Sequence, residues 1–135
     1  MKICKNCSVV LTTHQYVYCS NTCQSEVKYK NYISQWKAGT QDGNIGISTG
    51  NISGYIRRYI FTKYNESCSI CRWSTKNTYT GKIPLEIDHI DGDSKNNNEE
   101  NLRLLCPNCH SLTEFYKNHN RGKGRSWRKE KYLKN

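Results

Sequence analysis

The stretch Leu85-Glu86-Ile87-Asp88-His89-Ile90-Asp91-Gly92, with Leu102-Arg103-Leu104-Leu105-Cys106-Pro107-Asn108-Cys109-His110 ten residues further on, decides how this chain folds. Over residues 83–90 apolar and polar side chains alternate, the period of a half-buried strand. Asp91-Gly92-Asp93 opens a polar loop that runs through Asn96, Asn97 and Asn98, and Leu102-Arg103-Leu104-Leu105 reads as a second short strand. Pro107 suits a first helical turn, where its missing N–H loses no hydrogen bond, and it predicts a helix through Cys109, His110 and Phe115. Strand, loop, strand, helix is the expected order, inside a small α+β fold.

Cysteines bracket this stretch. Cys68-x-x-Cys71 lies before it and Cys106-x-x-Cys109 within it, with 34 residues between the two pairs. Zinc favours tetrahedral coordination by soft thiolates, and each Cys-x-x-Cys turn offers two sulfurs to one side of an ion. The interval is longer than a simple ribbon needs, which predicts a functional unit inside the clip. Cys4, Cys7, Cys19 and Cys23 form a second, less regular set, with Cys23 in the first turn of a helix beginning near Ser20. Two structural zinc ions are therefore expected, with full thiolate coordination leaving no open position for water. His14 is a substitute ligand in principle, but four cysteines make a surface position the better reading. Disulfides are the competing reading of the eight cysteines.

With zinc satisfied by sulfur, Asp88, His89 and His110 remain for other chemistry. Asp88 and His89 end one strand, and His110 follows Cys109 on the helix that the clip would hold against the strands. A carboxylate and an imidazole brought together there can bind one divalent cation, leaving its other positions to water and phosphate. Neighbours on a strand point to opposite faces, so His89 is free for a different role from Asp88. An imidazole, with an ordinary pKa of about 6.5, is suited to taking a proton from water at neutral pH.

Leu85 through Gly92, followed by Glu100-Asn101-Leu102-Arg103-Leu104-Leu105-Cys106-Pro107-Asn108-Cys109-His110, resembles the HNH endonuclease family, whose motif builds a ββα-metal fold. The resemblance is specific over residues 64–120. Tyr18-Cys19-Ser20 and Tyr55-Ile56-Arg57-Arg58-Tyr59 are more loosely similar to bacteriophage-type HNH proteins with an added zinc finger. The resemblance implies His89 as general base and Asp88 and His110 as ligands of a catalytic cation, magnesium, manganese or another transition metal. Asn101 matches the central asparagine that holds the loop between the strands. Glu114 stands one helical turn beyond His110, where some members carry a further ligand. A phosphodiester hydrolase acting on DNA, in phage homing or DNA processing, is the implied activity.

The rest of the chain frames this unit. A formal net charge of +10, from 21 Lys and Arg against 11 Asp and Glu, points to an anionic partner. Eight thiolates around two dications lower the figure by four, from +10 to +6, and leave the protein basic. A hydrophobic fraction of 35% implies a thin core that needs metal or other staples. Met1-Lys2-Ile3-Cys4-Lys5 has no apolar core of a signal peptide and no segment is long and apolar enough to span a membrane, so a cytoplasmic, reducing setting is expected.

Helices are predicted from Ser20 to Trp36, with Val27, Ile33 and Trp36 on the apolar side, and from Ser53, with Ile56, Tyr59, Ile60 and Tyr64 at helical spacing. Between them, Gly39 to Gly54 carries five glycines and reads as a linker. The expected division is a zinc finger with its helix over residues 1–36, a linker over 37–54, the HNH-like unit over 55–119 and a basic tail over 120–135. In the tail, Arg121, Lys123, Arg125 and Arg128, interrupted by Trp127 and Tyr132, are candidate phosphate contacts, as are Arg57 and Arg58, with Lys63, on the second helix. No dimer interface is legible. The rival reading, a non-catalytic zinc-finger protein that binds nucleic acid, accounts for the charge and the cysteines but gives no reason for Asp88, His89 and His110.

Overall fold

Both Cys-x-x-Cys turns that open a cysteine group adopt the same backbone. The Cys4 carbonyl accepts from the N–H of Ser8 at 2.9 Å and the Cys4 N–H donates to Val9 at 2.8 Å; Cys68 does the same with Arg72 at 3.0 Å and Trp73 at 2.9 Å. The residue after the second cysteine is left-handed in each, Ser8 with φ 63° and Arg72 with φ 68°. Such a curl turns successive N–H groups inward around the first sulfur. The structure, a computed structural model, describes residues 1–45 and 51–116. The tail candidates Arg121, Lys123, Arg125 and Arg128 lie outside the described residues.

The chain forms two compact units, Met1–Gln41 and Asp42–Asn135. In the first, an isolated bridge pairs Ile3 with Val10, and the following helix α1 spans Asn21–Lys37. Ser20 caps α1, its hydroxyl accepting from the Cys23 N–H at 3.1 Å, which satisfies one orphan donor of the first turn. Cys4, Leu11 and Cys23 form a small buried cluster against which Tyr18 and Cys19 pack. Ile33 and Trp36 are buried, and Val27 is half-buried. The helix closes at Ala38, whose N–H returns to Ser34.

The second unit begins with a segment expected to be linker. Ser53 donates its N–H to Gly43 at 2.6 Å and Ile45 donates to Asn51 at 2.8 Å, so the two described edges of the glycine-rich stretch pair with each other. Ser53 then caps helix α2, Gly54–Lys63, which buries Ile56 and Ile60 completely. Strand β1, Glu86–His89, pairs antiparallel with β2, Leu102–Leu105, in the register Glu86 to Leu105 and Asp88 to Arg103. A 3-10 turn, Glu99–Asn101, leads into β2. Helix α3, Pro107–Ser111, packs on both strands, and α2 packs on β2. Leu85, Leu102, Leu104 and Leu105 fill the space between them.

Two elements are shorter than their sequence pattern. The strand expected over 83–90 is restricted to Glu86–His89, because β2 offers four partners and Pro84 has no N–H for a ladder. Helix α3 stops at Ser111 instead of reaching Phe115. The Ser111 and Thr113 hydroxyls bond the carbonyls of Asn108 at 2.7 Å and His110 at 2.9 Å, competing with helix propagation. The alternation on β1 also has an unexpected sense: Asp88 is its buried residue, while Ile87 is half-buried and Ile90 is exposed. Among the described residues no helix is long and apolar enough to cross a membrane.

Leu104, on β2, is fully buried. Leu104→Ala should lower the stability of the second unit by about 2–5 kcal/mol, the range for deleting a buried leucine side chain. Urea unfolding followed through the amide signals of β2 checks this; a loss well under that range would mean that Leu104 is not part of a close-packed core.

Candidate functional site

None of the eight cysteines is in a disulfide. They gather as Cys4, Cys7, Cys19, Cys23 and as Cys68, Cys71, Cys106, Cys109, with the four sulfurs of each set within 4.8 Å of one another. Sulfur pairs approach to 3.5 Å at Cys7–Cys19 and Cys19–Cys23 and to 3.7 Å at Cys71–Cys106. Four sulfurs at about 2.3 Å from one ion are about 3.8 Å apart in a tetrahedron, so both sets fit a zinc-sized dication. Soft thiolates also disfavour calcium or magnesium there. His14 is exposed and adds nothing to the first set.

The ionisation of these groups is split. The Cys7 backbone N–H, helped by those of Cys19 and Asn6 and opposed by burial, lowers the Cys4 thiol to about 6. Burial works to raise the Cys68 thiol, but the N–H groups of Cys106, Cys71 and Ile70 outweigh it and bring it to about 6. Cys23 is lowered by side-chain hydrogen bonds, first from Asn6 and then from Ser20. Cys19, crowded by the sulfurs of Cys23 and Cys7, is pushed up to about 12, and burial with the sulfurs of Cys106, Cys71 and Cys68 does the same to Cys109. Each set thus offers a ready thiolate beside a thiol that holds its proton until a cation arrives.

The second sulfur set holds α3 in place. The Cys106 sulfur accepts from the Cys109 N–H at 3.4 Å, capping the helix, and the Cys68 turn is tied to β2 by the Ser69 N–H on the Leu104 carbonyl at 2.8 Å. One residue after Cys109, the His110 imidazole is directed at β1. Its Nε2 lies 4.0 Å from Asp88 Oδ1 and its Nδ1 lies 3.4 Å from Glu86 Oε2. Asp88 is 9% exposed, and its other oxygen accepts from Arg103 Nε at 2.8 Å, across the strand pair. Tyr116 packs its ring edge-on to His110 at 5.4 Å.

His89, next along β1, faces a different partner: its Nε2 is 2.7 Å from Asn97 Oδ1. The loop between the strands is shaped by Asn101, which is 8% exposed. Its amide nitrogen donates to Asp91 Oδ1 at 2.9 Å and to the Asn96 carbonyl at 2.8 Å, and its Oδ1 accepts from the Asp91 N–H at 3.0 Å. The Asn101 carbonyl accepts from the Ile90 N–H at 2.9 Å. Burial works to raise the Asp91 carboxyl, yet hydrogen bonds from Asn96, the Asp93 N–H and Asn101 hold it below its ordinary value.

The structure therefore brings Asp88 and His110 together, sets His89 beside them on the strand and puts Asn101 across the loop. Glu114 is exposed and lies beyond the end of α3, in the turns that follow Ser111. Arg57 and Arg58 are exposed on α2, where with Phe61, Thr62 and Glu66 they line a shallow concavity of about 380 Å³, and the Arg57 guanidinium stacks 5.3 Å over the Phe61 ring. Lys63 pairs with Glu99 at 3.7 Å. Sequence reasoning missed Glu86, Arg103 and Asn97. Glu86 carried a signal, since it stands two residues before Asp88 and shares its face of the strand. Arg103 needed the register, and Asn97 needed the tertiary fold.

Two antiparallel strands, a polar loop and a clipped helix, with His110 facing Asp88 and His89 facing the loop at Asn97, have the arrangement of a ββα-metal unit. Residues 77–111 match the sequence profile of a family described as HNH endonuclease. The chain is also 47% identical over 58 residues to the H-N-H endonuclease F-TflIV of Escherichia phage T5. That likeness covers 43% of this chain and 23% of the relative, so the chain spans less than a quarter of that protein's length. No solved structure matches the chain.

Loading the sulfur sites with zinc at neutral pH should release on the order of two to three protons per site, those of Cys19 and Cys109 among them, because four thiolates are needed and Cys4 or Cys68 is largely ionised beforehand. Protons compete with the metal for thiolates, so affinity falls as pH falls. The fall steepens below about 6, where Cys4 and Cys68 also take up protons. Competition with a chromophoric chelator across this range measures both quantities, and an affinity independent of pH would contradict thiolate coordination.

Proposed function

We propose that this chain is a metal-dependent DNA endonuclease that hydrolyses phosphodiester bonds, with His89 as general base and Asp88 and His110 as ligands of one divalent cation, magnesium or manganese. The observation that carries the reading is the 4.0 Å approach of Asp88 Oδ1 to His110 Nε2, beside an imidazole on the same strand. Two atoms at about 2.1 Å from one ion lie about 3.0 Å apart when adjacent and about 4.2 Å apart when opposite, so the 4.0 Å separation lies within the reach of one shared ion. Arg103 holds the second Asp88 oxygen, so the carboxylate presents a single oxygen towards the imidazole. Glu86 faces His110 Nδ1 at 3.4 Å, a partner of the kind that orients metal-binding histidines.

In this reading His89 takes the proton of a water that attacks phosphorus. The new bond is between the water oxygen and phosphorus, and the bond that breaks is to the 3′ oxygen, which takes a proton from solvent. When bound, the dication supplies positive charge against the crowded phosphate and the departing oxygen. Asn101 keeps the loop in shape around the base. Two zinc ions on the eight cysteines frame the unit. Arg57 and Arg58, and the tail residues Arg121, Lys123, Arg125 and Arg128, contact backbone phosphates. The division into a finger over 1–36, a connecting segment over 37–54, a nuclease unit over 55–119 and a basic tail over 120–135 belongs to the same reading. Eight free thiols support a reducing, intracellular setting, and likeness to a phage endonuclease supports a homing or DNA-processing role.

Cleavage of supercoiled plasmid by the zinc-loaded chain, with magnesium or manganese added, is the test. Cutting should require the added ion, and His89→Ala should slow it by about 10²–10⁴-fold, the contribution of a general base. Asp88→Asn and His110→Ala should abolish the response to the ion. DNA binding without cutting under every metal would instead favour the non-catalytic binder. Glu86→Gln should raise the cation concentration for half-maximal cutting by about 10-fold, the low end for an exposed orienting carboxylate; unchanged metal dependence would remove Glu86 from the site.

A further inference from the structure

We infer that Asn97 is a positioning residue, held by the turn at Asp42-Gly43-Asn44, that fixes His89 with its proton on Nε2 and its lone pair on Nδ1. The inference rests on the nuclease reading for its kinetic consequence. The tautomer itself follows from the partners of the Asn97 amide.

Asn97 is 4% exposed, and its amide nitrogen lies 3.1 Å from the Asp42 carbonyl and 3.0 Å from Asn44 Oδ1. A backbone carbonyl only accepts, so the atom facing Asp42 is the amide NH₂ and the atom facing His89 is Oδ1. Oδ1 cannot donate. At 2.7 Å from it, His89 Nε2 must carry the hydrogen, and in the neutral ring the unprotonated nitrogen is then Nδ1. A buried amide with its NH₂ bonded twice cannot flip without leaving polar atoms unpaired. Among the described residues the ring is thus held at one nitrogen and left open at the other, the state a general base needs.

The support behind Asn97 comes from a segment 53 to 55 residues away in sequence. Gly43 has φ +82°, and a Cβ there would lie 2.4 Å from Ile56 Cδ1 and 3.0 Å from Asn97 Cβ. Only glycine lets this turn approach α2 and the loop so closely. The Asp42 carboxylate accepts from the Asn44 N–H at 2.9 Å, Gly43 accepts from Ser53, and Asn44 bridges to Ile52, so the turn is anchored at the cap of α2. Asn101 does a separate job. It bonds the loop's own backbone and Asp91, and none of its bonds reaches the ring.

The test uses the full zinc-loaded chain. Nitrogen-15 NMR of the imidazoles without added magnesium reads the His89 tautomer directly, and His89 carrying its hydrogen on Nδ1 overturns the inference whatever the cleavage assay gives. With magnesium and supercoiled plasmid, Asn97→Leu should lower kcat by about 10- to 100-fold with KM within about twofold, and should mix the tautomers. Asn97→Asp keeps an acceptor for the Nε2 hydrogen but loses the amide's bonds to Asp42 and Asn44, so it should retain the Nε2–H tautomer with a kcat between those of Asn97→Leu and the wild type. Unchanged kcat in Asn97→Leu, or a change confined to KM, overturns the positioning role. A wild type that cuts no DNA yet shows the Nε2–H tautomer refutes the nuclease reading and leaves the clamp standing.

Discussion

Two segments 34 residues apart in sequence converge on the sulfurs of Cys68, Cys71, Cys106 and Cys109: the turn after α2, and the junction of β2 with the first turn of α3. Helix α3 has five residues, far below the length at which a helix persists on its own in water. Its place therefore depends on the sulfurs and on Cys106 as its cap. The direction of the His110 ring, one residue beyond Cys109, follows from that placement. A chain with 35% hydrophobic residues has little apolar surface to bury, and each of its two compact units has one such cluster at hand.

The same frame makes a buried carboxylate tolerable. A lone charge in the position of Asp88 would be expensive to desolvate, and removing one partner of such a pair leaves the other uncompensated. Arg103 takes one oxygen at 2.8 Å and the His110 ring faces the second at 4.0 Å, so each oxygen has a directed neighbour. The arrangement is asymmetric: one oxygen is committed to the sheet and the other is turned to the imidazole. The stability of the carboxylate and its orientation towards the imidazole thus come from one geometry, and the first residues to feel a slip of register would be Asp88 and Arg103.

Positive charge is used in two ways. Lys63 spends its ammonium on Glu99 and Arg103 on Asp88, ion pairs that join elements of the second unit. Arg57 and Arg58 are exposed on the outer face of α2 beside Phe61, where charge and an aromatic ring suit phosphate and base together. The net charge alone does not distinguish these roles; placement does.

Much was legible locally. The two cysteine sets, the caps at Ser20 and Ser53, the start of α3 at Pro107 and the extent of β2 follow from short-range rules of turn, cap and alternation, which operate within a few residues. The pairing of Asp88 with His110 was legible too, because the clip and the strand fix which side of each element faces the other. Other features were decided by the tertiary structure. The length of β1 was set by its partner and by Pro84, and the end of α3 by hydroxyls that compete for its carbonyls. The segment from Asp42 reads as linker from its glycines, yet it lies against Asn97 because Gly43 admits a contact that any Cβ would block. Which loop amide meets His89 depends on packing across more than fifty residues, and no local pattern encodes that distance. Sequence supplied the groups able to do the chemistry; the fold decided which atoms of those groups were held and which were left open.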